Sequence, residues 1–280
     1  MVKHHIPKTL KDALKVLNSN SCYIMAGGTD LMVAKHHRSG LLPNFDKDVC
    51  YISNLKELQY IYEDEEGVHI GAGVKFSEML HSDIVPELMK LIIEEIASPN
   101  VRNMATMAGN IANASPAGDS IVGLYLLDAK LELVSVDGSR LLPINEFIYG
   151  VRRIRRNDNE LIKEIFIPHH DDLNTYWKKV GSRAAESISK ITFAGGYEVE
   201  NNIIKDIRFA FGSANTTIVR KRNIEEKYIG MTVEELHNNV DNIVNDMSEF
   251  IKPITDQRST KEYRLKVAKN ILKDFINNVE

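Results

Sequence analysis

The chain has 280 residues, of which 43% are hydrophobic and 26% charged, a composition typical of a globular protein with one large or two medium-sized domains. Its formal net charge of -4 gives no basis for nucleic-acid binding, and no run of about 18 apolar residues could cross a membrane. Two cysteines are too few for a disulfide framework or a four-thiolate iron–sulfur cluster. The low cysteine content and an N-terminus unlike a signal peptide predict a cytoplasmic protein.

The first half of the sequence alternates short helices and strands. Thr9 and Asp12 predict a capped first helix. Cys22–Ala26 predicts a strand that breaks at Gly27-Gly28 and enters a helix at Thr29-Asp30. Further along, the pattern predicts strands at 59–63, 67–71 and 131–136, helices at 84–98 and 121–128, and a loop of small residues over 104–120.

The composition changes near 168–175, where Pro168-His169-His170-Asp171-Asp172 interrupts the pattern. We place a domain boundary there, with a first domain of residues 1–170 (lobes at about 1–55 and 56–170) and a second of 171–280. The second domain is predicted to contain strands at 175–181, 191–199 and 203–211, the last two forming a hairpin, followed by three helices. Capping-box spacing occurs at Thr232/Glu235 and at Ser259/Glu262.

Two loops of small residues carry the candidate chemistry, at 26–31 and 106–119. Glycine lets the main chain approach a ligand, and successive N–H groups form a nest for anions. Neutral donors come from Thr29, Thr106, Asn110 and Ser115, and neither loop has the Lys or Arg of a triphosphate-hydrolysing loop. The pair favours a pyrophosphate approached from two sides, although a Gly-Gly pair such as Gly27-Gly28 is by itself more often a simple turn.

Several charged residues have two interpretations each. Asp119 could accept hydrogen bonds from ribose or adenine, or could cap a helix. The Arg152–Arg156 stretch fits a solvated loop, a subunit contact or an anionic ligand. Arg183 and Lys190 fit the setting of a redox potential, contacts with nicotinamide phosphates, or a surface ion pair. The histidines have no metal-ligand spacing, and adjacent pairs point apart, so we predict no metal site and no catalytic side chain for the pairs His4-His5, His36-His37 and His169-His170.

In combination, five segments resemble the FAD-binding subunit of molybdenum hydroxylases, the family of the medium subunits of carbon monoxide, nicotinate and bacterial xanthine dehydrogenases. These segments span almost the whole chain in order, and they are Ala26–Leu31, Arg102–Asn110, Ala114–Asp119, Lys179–Arg183 and Asp256–Thr260. The resemblance implies an α+β fold. Its two-lobed FAD-binding domain is of the vanillyl-alcohol-oxidase (PCMH) type, and a C-terminal α+β domain with a small antiparallel sheet and helices follows.

The resemblance also implies a set of FAD contacts. The first loop and the segment from Thr106 to Asn110 would wrap the pyrophosphate, and Asp119 would bind the adenosine portion. Lys179 would reach the cofactor from the C-terminal domain, Lys163 would touch it through its backbone, and Ile96 would give aliphatic contact where vertebrate relatives have an aromatic ring. The full predicted set is Met25, Ala26, Gly27, Gly28, Thr29, Asp30, Leu31, Ile96, Thr106, Ala108, Gly109, Asn110, Ser115, Asp119, Lys163 and Lys179.

One position departs from the family pattern, because Ala108 stands where most relatives have a second glycine. The added methyl group matters if this position requires a positive φ angle.

The implied function is electron transfer. A molybdenum-cofactor large subunit would oxidise its substrate, for which xanthine or a related N-heterocycle is preferred on family frequency. A small subunit with [2Fe-2S] clusters would pass the electrons on, and this chain's FAD would deliver them to an acceptor, most often NAD+. Two alternatives are a stand-alone flavin oxidoreductase and a nucleotide-binding regulatory module without redox work.

Overall fold

The structure is a computed structural model that describes residues 2–36, 41–183 and 186–280. Within these residues the strands, in chain order from β1 to β13, are His4–His5, Cys22–Met25, Asp48–Tyr51, Ile61–Glu63, Gly67–Gly71, Lys130–Ser135, Gly138–Pro143, Ile148–Gly150, Arg153–Ile154, Leu161–Pro168, Asn174–Val180, Ile191–Glu200 and Ile203–Gly212. The helices, from α1 to α12, are Leu10–Ser19, Leu31–Ala34, Phe76–Leu80, Glu87–Glu94, Pro99–Arg102, Met107–Asn113, Asp119–Leu126, Ile144–Phe147, Arg222–Glu225, Val233–Asn238, Val240–Ser248 and Lys261–Asn277.

The chain divides into two compact units. The first unit comprises Met1–Val85, Ala97–Ala114 and Asp128–His169, and the second comprises Pro86–Ile96, Ser115–Leu127 and His170–Glu280. Pro86–Ile96 and Ser115–Leu127 precede residue 170 in the chain but belong to the second unit, together with the C-terminal part. The single domain boundary near residue 170 stays a prediction.

The first unit contains two larger sheets. A parallel sheet has the strand order β1-β3-β2, and an antiparallel sheet has the order β4-β5-β10-β6-β7. Helix α1 packs its apolar face, with Ala13 and Leu17, into a core that also holds Cys50 and Ile52. The predicted cap of this helix is confirmed, because the Thr9 hydroxyl accepts a hydrogen bond from the Asp12 N–H group.

The second unit is built on the antiparallel sheet β11-β12-β13 with the long helix α12 packed against it. Asn201 and Asn202 both have positive φ, the backbone that a tight hairpin between β12 and β13 requires. Gly195 leaves room for the ring of Phe275, which would lie 2.5 Å from a Cβ at that position. The predicted α+β class is confirmed, with helices beside antiparallel sheets.

Three details of the predicted elements were wrong. The small-residue stretch 104–120 is mostly helical, because the Thr106 hydroxyl caps α6 by accepting from the Gly109 N–H at 3.0 Å. Helix α7, which begins inside the same stretch, is buried on every side and so lacks an amphipathic period. The helix expected at 84–98 is confined to α4, and the last helix is capped by Thr260 rather than Ser259. The capping box of Thr232 with Glu235 is confirmed.

Candidate functional site

The first predicted loop touches, through its backbone, the segment that immediately precedes the second loop. A Cβ atom added at Gly27 would lie 1.9 Å from the carbonyl oxygen of Met104 and 2.9 Å from the Cα atom of Ala105. Only glycine fits at position 27, since both neighbouring atoms belong to main chain rather than to a movable side chain. The structure therefore brings the first loop against the segment that leads into the second.

The first loop presents backbone amides with no internal acceptor. Gly28 adopts a φ of +72°, a left-handed conformation that turns successive N–H groups toward one side. Among the described residues, none accepts a hydrogen bond from the amides of Gly27, Gly28 or Thr29. The loop then enters α2, whose first bonds run from Met32 to the Gly28 carbonyl. This geometry is suited to an anion with several oxygen acceptors.

The second loop presents the start of a helix. Thr106 uses its hydroxyl for the Gly109 amide and its carbonyl for the Asn110 amide. In the described part of the chain, the amides of Met107 and Ala108 donate no internal hydrogen bond, as is usual for the first turn of a helix. Ala108 lies within α6 and has no positive φ, so its methyl group, in place of the family's second glycine, causes no backbone strain.

The charged neighbours of the first loop also belong to the first unit. Loss of hydration raises the pKa of the Asp30 carboxyl, and the charge of Arg152 acts in the opposite direction. Elsewhere in the basic stretch, Arg156 donates to the carbonyl oxygens of Asn157 and Glu160. Arg156 therefore has a structural role, whereas Arg152 contributes positive charge close to the amide-rich turn.

Lys163 occupies a bulge in β10, where the pairing with β6 shifts register. Its carbonyl accepts a hydrogen bond from Ala72 at 2.9 Å, and its ammonium group lies 2.7 Å from Glu132. The hydrogen bond with Glu132 is the main reason that the pKa of Lys163 is raised.

In the second unit, Asp119 and Lys179 form a buried ion pair. The Lys179 ammonium lies 2.8 Å from Asp119 Oδ2, and the Ser189 hydroxyl donates to Oδ1 at 2.5 Å. Burial raises the pKa of Asp119, while Lys179 and Ser189 lower it. Asp119 is the first residue of α7, so the end of the helix with free N–H groups also favours its negative charge.

The same cluster extends through Lys179 to Glu95. Lys179 donates to the Glu95 carbonyl at 2.5 Å, and the indole N–H of Trp177 donates to the Glu95 carboxylate at 2.8 Å. Sequence reasoning missed Ser189, Glu95 and Trp177, because their proximity depends on how strand β11 and helix α4 pack. Trp177 and Lys179 are two residues apart in β11 and therefore lie on the same face of the strand, a signal that was available in the sequence.

Two other predicted residues also lie in the second unit. Ile96 follows α4 and donates its N–H to the Ile93 carbonyl. The hydroxyl of Ser115 accepts from the Ala117 amide at 3.2 Å, which stabilises the turn before α7. The predicted contacts are therefore divided, with the two amide-rich loops and Lys163 in the first unit and Ile96, Ser115, Asp119 and Lys179 in the second.

The second unit also contains an open cavity of about 410 Å³ with a basic lining. Arg183, Lys190 and Arg258 line it, together with Gln257 and Glu186. Both cationic residues singled out from the sequence, Arg183 and Lys190, therefore face the same space, and Arg258 joins them from the segment that precedes α12.

One histidine of the three pairs, His5, lies beside two other side chains that can bind a metal ion. His5 lies beside Asp48, with 2.9 Å between the imidazole and carboxylate atoms, and Cys22 lies close to both. Residue spacing did not predict this group, because its members come from three different strands. His37 of the predicted pair His36-His37 lies outside the described residues.

Comparisons with known proteins agree on one family. Residues 1–170 match the family model described as the FAD binding domain in molybdopterin dehydrogenase, and residues 176–279 match that of the CO dehydrogenase flavoprotein C-terminal domain. Among the described residues, no helix is long and apolar enough to span a membrane.

Curated relatives and solved structures extend this agreement. The glyceraldehyde dehydrogenase medium chain of Sulfolobus acidocaldarius is 33% identical over 94% of this chain and 92% of its own. The xanthine dehydrogenase FAD-binding subunit of Escherichia coli is 28% identical over 98% of this chain and 94% of its own. A solved CO dehydrogenase from Oligotropha carboxidovorans has the same fold, with a TM-score of 0.88 at 21% identity over 98% of this chain and 96% of the matched one.

Proposed function

The chain belongs to the family of FAD-binding medium subunits of molybdenum hydroxylases, and from this premise we propose that it passes electrons from [2Fe-2S] clusters on a small partner subunit to NAD+. A large subunit with the molybdenum cofactor would supply those electrons. The names of the relatives support this assembly, since several are medium or FAD-binding subunits of dehydrogenases. Xanthine or a related N-heterocycle is the proposed substrate of the large subunit, and the cytoplasm is the proposed location because both cysteines are free thiols.

The residues of the first unit fit the cofactor FAD. The single observation that carries this fit is the backbone contact of Gly27 with Met104, which brings the amide-rich first loop against the segment that leads into the unpaired amides of Met107 and Ala108. A pyrophosphate has enough oxygen atoms to accept from both groups. We assign its binding to the amides of Gly27 to Thr29 and of Met107 and Ala108, flanked by the remaining predicted residues from Met25 to Leu31 and from Thr106 to Asn110.

Further contacts to FAD are proposed for the other predicted residues. An ammonium group has three N–H donors, of which Lys179 uses one for Asp119 and one for Glu95, so one is left for the cofactor. Asp119 would reach the adenosine through lone pairs that Lys179 and Ser189 leave free. Ile96, Ser115 and the backbone of Lys163 would complete the set.

Bound FAD supplies the exchange between one-electron donors and a two-electron acceptor. This chain's residues bind it, orient it and set the charge around it, and none of them has to act as a nucleophile or general base. The basic cavity lined by Arg183, Lys190 and Arg258 supports NAD+ as the acceptor, because the dinucleotide carries a diphosphate that guanidinium and ammonium groups bind well.

Anaerobic addition of NADH to the purified full chain tests the acceptor. If NAD+ is the acceptor, NADH should bleach the visible flavin band by running the last step in reverse. The substitution Arg258→Gln should slow this bleaching by on the order of 10-fold, the size of one lost charge-assisted hydrogen bond. The matched control Lys205→Gln removes an exposed lysine on β13 that pairs with Glu200, and it should leave the rate unchanged. A flavin that dithionite bleaches and NADH leaves oxidised would exclude NAD+.

Two other functions predict different results in the same preparations. A nucleotide-binding regulatory module would purify colourless and bind adenine nucleotides without a visible flavin spectrum. A stand-alone flavin oxidoreductase would turn over with its own substrate, and no molybdenum-containing chain would purify with it from the native cell. A yellow chain that purifies with two further subunits supports the proposed function against both.

A further inference from the structure

Three neighbouring strands of the first unit bring three side chains that can bind a metal ion close together. His5 ends β1, while Cys22 and Asp48 are the first residues of β2 and β3. Cys22 is the register partner of Asp48, and β3 lies between the other two strands. One ligand atom from each side chain, an imidazole nitrogen, the thiol sulfur and a carboxylate oxygen, lies within 4.8 Å of each of the others.

We propose that His5, Cys22 and Asp48 form a binding site for one divalent zinc ion, with a fourth position open to water. Zinc binds imidazole nitrogen at about 2.0–2.1 Å, carboxylate oxygen at about 2.0–2.2 Å and thiolate sulfur at about 2.3 Å. Around a tetrahedral ion these lengths place the donor atoms less than 4 Å apart, so the three side chains would need only small rotations to close on it. This site is separate from the FAD contacts proposed above.

The donor set and its charge suit this ion. A thiolate, a carboxylate and a neutral imidazole together carry two negative charges, which one divalent cation balances. A mixture of soft sulfur with nitrogen and oxygen favours zinc over magnesium or calcium, since both of the latter prefer oxygen alone. All three residues are partly exposed, so the ion can enter from solvent.

The carboxylate is already held in a ligating orientation. The backbone N–H of Lys3 donates to Asp48 Oδ1 at 2.9 Å, which leaves Oδ2 facing His5 at 2.9 Å. Outer hydrogen bonds of this kind fix the direction of a metal ligand and reduce the cost of ordering it. The neighbouring His4 has a different environment, because its Nδ1 atom lies 2.9 Å from the hydroxyl of Tyr51.

A bound ion would join β1 and β2, which both pair with β3 but not with each other. Strand β1 has only two residues and pairs with β3 alone. Because an ion bound to the folded state stabilises it by mass action, zinc should raise the resistance of the first unit to unfolding. A bound zinc ion would thus attach β1 to the rest of the sheet by more than its backbone hydrogen bonds.

The experiment uses the purified full chain with FAD bound, stripped of metal by a chelator and then titrated with zinc in competition with a chromogenic chelator. One zinc should bind per chain, and X-ray absorption at the zinc edge should show one sulfur neighbour at about 2.3 Å. Cys22→Ser and His5→Gln should each weaken binding more than about 100-fold, since even outer-shell losses cost 10–100-fold. The matched control His4→Gln should bind zinc as the parent does. Flavin content, measured for every variant, verifies that each one is folded.

Two results would overturn the proposal. The first is a parent chain that binds zinc no more tightly than the folded Cys22→Ser variant. The second is a bound zinc whose absorption spectrum has no sulfur neighbour, because such an ion would be held by other residues. Neither result would affect the FAD assignment, which depends on different residues and on the flavin spectrum.

Discussion

Replacing Lys179 by methionine should strongly destabilise the second unit. The pair it forms with Asp119 has 2.8 Å between its charged atoms, and the two side chains are only 6% and 8% exposed. At that distance the attraction is about 6 kcal/mol for an effective dielectric constant of about 20. Desolvation offsets much of this attraction in the intact pair, but removing one partner leaves a buried charge alone. We therefore expect the free energy of unfolding to fall by about 3–5 kcal/mol.

The pH dependence of the variant follows from Asp119. Burial already raises the pKa of Asp119, and removal of Lys179 takes away the main influence that lowers it. A carboxyl whose pKa is higher in the folded than in the unfolded state binds more protons when folded. The variant's stability should accordingly be greatest at acidic pH and fall as pH rises above about 4, the ordinary pKa of aspartate.

Urea unfolding followed by the fluorescence of Trp177, the only tryptophan of the chain, measures this change within the same cluster. The double variant Asp119→Asn with Lys179→Met should recover most of the lost stability, since no charge then remains unpaired. Lys205→Met is the control, because its exposed pair with Glu200 should contribute less than about 1 kcal/mol. A loss below about 1 kcal/mol for Lys179→Met, or no recovery in the double variant, would refute the reasoning.

Two further changes test other parts of the structure. Gly27→Ala should lower the flavin-to-protein absorbance ratio of the purified chain at least several-fold, because its Cβ would lie 1.9 Å from the Met104 carbonyl oxygen. Gly150→Ala is the control and should keep its flavin, because its Cβ would meet only the flexible side chain of Arg153, at 3.4 Å. Burial and the neighbouring Asp246 raise the pKa of Tyr228 to about 12, so the stability that its neutral form contributes is lost as pH rises from about 10 through 12. Tyr228→Phe should flatten the dependence of the free energy of unfolding on pH between about 10 and 12, as measured by urea unfolding at several pH values. An unchanged slope of the free energy of unfolding against pH would contradict this role of Tyr228.

The sequence alone determined the elements whose signals are local. The caps of Thr9 and Thr232, the strand that ends shortly before Gly27, and the hairpin at Asn201-Asn202 each depend on residues a few positions apart. The family motifs are local in the same way, which is why FAD and the α+β class followed from them. Residues 104–120 were misread because small residues and full burial remove the amphipathic period by which a helix is recognised.

Only the tertiary structure decided which distant residues meet. Asp119 and Lys179 were predicted to bind the same cofactor, yet their pairing with each other depends on the packing of α7 against the sheet to which β11 belongs. His5, Cys22 and Asp48 are far apart in sequence, and only the pairing of three strands makes them neighbours. Spacing rules can find ligands that share one helix or one turn, because the geometry there is fixed by the chain itself. Ligands on separate strands are positioned by hydrogen bonding between strands and by burial of the core beneath them, and a linear pattern of residues contains neither.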